Sequence, residues 1–98
     1  MEEKIKELVD MLLSIKKFTT PDLDGISYAS NNDPNMEIAD ELACELLIDE
    51  MGFPKYDTHM ELRDKYGFKV IPGDVDSFGW LTGVIVYPDD TNKRFVFG

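Results

Sequence analysis

Up to Tyr66 the apolar residues of this chain recur at helical spacing, and from Phe68 onward they follow the pattern of strands. Gly67 stands between the two regimes. Such a switch confines 98 residues to one α+β domain, spanning 1–98, with helices first and a small sheet last. In "EEKIKELVDMLLSIKK", the positions Ile5, Leu8, Val9, Leu12 and Ile15 predict an amphipathic helix over 2–17. Lys4, Glu7 and Asp10 fall off its apolar stripe. Glu2 and Glu3 sit at the positive end of its dipole, Lys16 and Lys17 at the negative end.

Thr20-Pro21 predicts a cap and at most one helical turn before Gly25, followed by Ser/Asn-rich loop. Asp33-Pro34 repeats the signal and opens a long helix over 34–51, with Gly52 as its left-handed end, Phe53 as the hydrophobic follower and Pro54 blocking continuation. A third helix is expected over 58–66, with Thr58 and Glu61 as a capping box and Gly67 ending it. "FKVI" reads as a short strand stopping at Pro72-Gly73. "GWLTGVIVY" and "KRFVF" flank "PDDTN" as an antiparallel hairpin over about 79–97, with Asn92 supplying a positive φ. Phe78, Trp80, Thr82, Val84 and Val86 alternate with Leu81, Ile85 and Tyr87, so both faces of the hairpin are apolar. Either helices cover both, or one awaits a partner. Gly79 and Gly83 mark a bulge or a close backbone approach.

Charge narrows the function. Twenty acids against ten bases give a net charge of −10, which opposes binding to phosphate backbones and to anionic membranes. No run is apolar enough for a membrane span and the charged start excludes a signal peptide, so a cytoplasmic protein is expected. Cys44 is the single cysteine, which excludes an intrachain disulfide and a cysteine zinc cluster.

The acids concentrate in the middle. Between Lys17 and Lys55 there are nine, and no base. On the helix expected at 34–51, Met36, Ala39, Leu42, Ala43, Leu46 and Leu47 form a core arc. Glu37, Glu41, Glu45 and Asp49 lie opposite, four residues apart, with Ile38 and Ile48 among them. Neighbouring carboxylates at that spacing repel by roughly 0.2–0.5 kcal/mol per pair. The row is either a solvated face, covered in part by Lys16, Lys17, Lys69 or Arg94, or a docking surface with apolar anchors.

Catalytic and metal signals are weak. Asp22-Leu23-Asp24-Gly25 brings its glycine too early for a calcium loop, and His59 has no second histidine to complete a transition-metal site. Cys44 and His59 make a poor catalytic pair, because an acidic setting disfavours a thiolate. No metal, no cofactor and no enzymatic activity are expected.

The order of short helices and terminal hairpin resembles winged helix-turn-helix domains, yet the helix at 34–51 presents carboxylates where DNA phosphates would crowd. In size and charge the chain also resembles the small acidic inhibitors of phages and mobile elements, such as anti-restriction and anti-CRISPR proteins. That resemblance implies a nucleic-acid mimic whose acidic helix blocks the basic surface of a nucleic-acid-binding protein. Glu37, Asp40, Glu41, Glu45 and Asp49 would carry the contact, with Ile38 and Ile48 as the apolar anchors among them. The competing expectation is an interaction module that homodimerises through the hairpin, using Trp80, Ile85 and Tyr87.

Overall fold

The computed structural model describes residues 2–75 and 81–98. Three helices, α1 (Glu2–Ser14), α2 (Met36–Leu47) and α3 (Tyr56–Tyr66), pack with four strands, β1 (Ser27–Tyr28), β2 (Lys69–Val75), β3 (Leu81–Val86) and β4 (Lys93–Phe97). The sheet order is β1-β4-β3-β2, antiparallel except for β1, which runs parallel to β4. This is the α+β class expected, with the terminal hairpin in place and a mixed sheet rather than a purely antiparallel one. Phe78, Gly79 and Trp80 lie outside the described residues. Among the described residues no helix is long and apolar enough to cross a membrane.

One core joins the layers. Ile5, Leu8 and Leu12 of α1, Ala39, Ala43, Leu46 and Leu47 of α2 and Leu62 of α3 meet Ile85, Phe95 and Phe97 of the sheet. Tyr87 belongs to this core as well; its hydroxyl donates to the Leu12 carbonyl at 2.9 Å, and its ring meets Phe18 and Phe68 edge-on. Burial pushes the phenol far above its ordinary pKa and so keeps it a donor. Ile85 and Tyr87, expected as dimer contacts, are therefore committed to the protein's own interior. Gly83 is needed for close approach: a Cβ there would stand 2.5 Å from the Phe97 ring.

Several boundaries differ from expectation, each for a local reason. α1 ends at Ser14, and the backbone N–H groups of Lys16 and Lys17 turn instead to the Asp33 carboxylate at 2.8 and 3.0 Å. Residues 18–29 form an excursion closed by Thr19 N–H to the Tyr28 carbonyl, so the turn expected after Thr20-Pro21 is not helical. α2 stops at Leu47 because Ile48 is extended and bridges Pro54, leaving 49–53 as a tight loop. Gly52 does adopt positive φ, but inside that loop rather than at the helix end. α3 starts at Tyr56 with Lys55 as N-cap and no side-chain cap, so Thr58 is a buried residue within the helix. Gly67 ends it as expected, and does so in the left-handed conformation. Asn92 has no positive φ; the Asp90 carboxylate holds the turn by accepting the Asn92 N–H at 3.0 Å.

β2 runs through Pro72, and the register shift lies between Pro72 and Val75. Tyr87 N–H bonds the Lys93 carbonyl, which makes Val84 and Val86 turn their backbone groups to β2, opposite Ile71 and Lys69. Val70 and Pro72 then face the free edge, where a proline without an N–H is tolerated.

Candidate functional site

The acidic residues near α2 split by what their carboxylates touch. Asp33, just before the helix, is buried and accepts N–H groups from Lys16, Lys17 and Asn35, so it ties α1 to the start of α2. Those donors hold its carboxyl below the ordinary range. Asp40 is half-buried and accepts the Gly98 N–H at 3.1 Å, fastening α2 to the end of β4; the Cys44 Sγ lies 3.9 Å from the same oxygen. Asp49 lies outside the helix and accepts Met51 and Phe53 N–H groups, both at 2.9 Å. The expected row of four carboxylates is thus shortened at its end, because Asp49 organises a loop.

Glu45 is paired with Lys4 of α1 at 2.7 Å, an exposed bridge that lowers the carboxyl and raises the ammonium pKa. Partial neutralisation of the row comes from Lys4, with Lys55 Nζ reaching the Glu45 carbonyl. It does not come from Lys69 or Arg94, which lie across the sheet in one row with Val86. Glu37 and Glu41 remain exposed. Ile38 is 50% exposed, as a docking anchor requires, whereas Ile48 is 3% exposed and belongs to the core. Its extended backbone turns it inward, away from the acids with which helical geometry grouped it. Trp80 lies outside the described residues.

The Lys4–Glu45 bridge joins antiparallel helices, the start of α1 lying beside the end of α2. One turn further along, Met11, Ile38 and Leu42 floor a groove of about 270 Å³ whose other lining residues are Glu7 and Asp10. Glu41 follows Ile38 by three residues on the exposed flank of α2. Apolar area is thereby framed by carboxylates, and no lysine or arginine lines the groove. Glu7 and Asp10 are the residues that sequence reasoning left as a solvated side of α1. Only the packing of α1 on α2 brings them to the same opening as Ile38.

The Asp22/Asp24 pair belongs to a turn. Asp22 accepts the Asp24 and Ile26 N–H groups and Gly25 is left-handed. Among the described residues no group of three or more His, Cys, Asp and Glu side chains is placed to hold a metal ion. His59 is buried and its Nε2 lies 3.0 Å from the Leu47 carbonyl, which makes that nitrogen the donor; burial lowers the imidazole pKa. Comparison with protein families, curated proteins and solved structures finds no match for the chain.

Proposed function

We propose that this chain is a small cytoplasmic, non-enzymatic binding protein. Its acidic helical face occupies a basic surface of a nucleic-acid-binding protein and excludes the nucleic acid. The observation that supports this most is the α1–α2 opening, where Glu7 and Asp10 border the exposed Ile38 and no lysine or arginine is among the lining residues. A net charge of −10 steers such a face toward positive patches and away from DNA, RNA and anionic lipid. An inhibitor of the anti-restriction or anti-CRISPR kind would act in this way.

The test is capture of host nucleic-acid-binding proteins on the immobilised chain, with duplex DNA or RNA as competitor. The expected result is retention at low salt, elution by the competitor, and loss of capture in Glu37→Lys/Glu41→Lys. Capture that survives both the competitor and the charge reversal overturns the reading.

A second reading rests on the sheet. Ile71, Val84 and Val96 stand opposite one another across β2, β3 and β4, with Ile71 39% and Val96 43% exposed. This favours an interaction module that pairs through the outer sheet face. Light scattering on the parent and Ile71→Lys/Val96→Lys separates the two: a dimer dissolved by that change supports the module, and a monomer removes it.

A further inference from the structure

The groove between α1 and α2 has a shape as well as a charge, and the two together specify more than a basic partner. Its floor is three flexible or branched apolar side chains, Met11, Ile38 and Leu42, drawn from two antiparallel helices. A pair of antiparallel helices leaves a furrow that a third helix fills by ridge-into-groove packing. Met11 and Leu42 are partly buried at the margin of the core, while Ile38 stands half out of it. At one end the Lys4–Glu45 bridge spans the helices and closes the furrow. Along its sides the lining charge is negative, from Glu7 and Asp10, with Glu41 exposed on the adjoining flank of α2 and Lys4 and Lys6 exposed elsewhere on α1.

We infer that the groove receives an amphipathic helix of the partner, with one apolar side chain seated between Met11, Ile38 and Leu42 and Lys or Arg residues a turn away meeting Glu7, Asp10 and Glu41. This deepens the proposed function and rests on it. Charge complementarity selects the occupant. A second copy of this chain would bring its own carboxylates to the rim, and a polar acidic segment would be repelled outright. An extended basic tail would satisfy the rim and leave the floor wet. A helix satisfies both, since its residues at i and i+3 or i+4 place an anchor and its flanking cations on one face.

The probe is a synthetic helical peptide of leucine and lysine with its leucines on one face. Two control peptides accompany it: a lysine/serine peptide of equal charge, and a leucine/glutamate peptide. Each is titrated into the isotopically labelled protein, with the methyl signals of Met11, Ile38 and Leu42 observed. The leucine/lysine peptide is expected to shift those methyls and to bind at least about tenfold more tightly than the lysine/serine peptide. Ile38→Ser, at a half-exposed position that leaves the fold intact, is expected to remove that advantage, and Glu7→Gln/Asp10→Asn to weaken both cationic peptides. The leucine/glutamate peptide is expected not to bind.

Equal binding of both cationic peptides, unchanged in Ile38→Ser, overturns the helix-in-groove inference while leaving the acidic docking face standing. Failure of both cationic peptides to bind overturns the inference and the proposed function together. Methyl shifts that depend on protein concentration without peptide overturn the inference in favour of self-association.

Discussion

The loop at Asp33 and the exposed flank of α2 at Glu37 and Glu41 are one turn apart, carry the same charge and do opposite work. Asp33 is buried, with backbone donors from two directions directed at its oxygens. Glu37 and Glu41 stand in water. Chain length explains the division. An aspartate is short enough to bond N–H groups two residues along its own backbone, and Asp22, Asp33, Asp49 and Asp90 all do so. A glutamate reaches past its own backbone and is left to the surface or to a lysine. Acidity around α2 is therefore two populations, one that shapes the flanking loops and one that is available to a partner.

That contrast can be broken by thermal denaturation of a graded set of variants. Asp33→Ala should have the largest effect, lowering Tm by on the order of 10 °C, because three backbone donors lose one buried acceptor. A drop no larger than that of Glu41→Ala would erase the distinction between the two regions.

Acid titration of Tm sharpens it next. The native Asp33 carboxyl lies below its unfolded value. Its contribution is therefore complete above the unfolded pKa of about 3.9 and is lost as pH falls through the native one. Asp33→Asn should flatten that limb. A milder step is expected at higher pH from His59, whose native pKa is lowered by burial. Stability that is full above about pH 6.5 declines as the solution is acidified and the unfolded state takes up the proton first. His59→Gln should abolish this step, and an unchanged profile would exclude His59 as its source.

Smaller again is Lys4→Ala, which should barely move Tm, since the bridge to Glu45 is exposed at both ends. Last, Glu37→Lys/Glu41→Lys should leave Tm unchanged or slightly raised through relief of repulsion, while capture of a basic partner falls by about tenfold or more. Loss of folding in that variant would place these glutamates with Asp33.

The sequence was most legible where one side chain decides its own fate. Ala39, Ala43, Leu46 and Leu47 lie on the buried side of α2 as their spacing requires, and Gly67 ends α3 in the left-handed region. Legibility failed where the decision belongs to a distant segment. Nothing local to Lys16 and Lys17 reveals that Asp33 will take their N–H groups and end α1 early. Ile48 fits a longer helix by periodicity, and only its bridge to Pro54 turns it into the core. β1 is two residues long and exists because Asn92 and Arg94 carbonyls accept the Ser27 and Ala29 N–H groups. The candidate site shows the same limit. Ile38 and Glu41 were visible on α2, but Glu7, Asp10 and Met11 join them only through helix packing.

Pro72 bears on how the molecule behaves in a crowd. It lies at the fourth residue of the seven-residue strand β2, on a sheet edge that another chain could in principle extend. An incoming strand laid along that rim meets a carbonyl and no amide at its midpoint, so continuous templating fails at the first attempt. With Ile71 exposed on the same strand, association along this edge is thereby left to side chains rather than backbone.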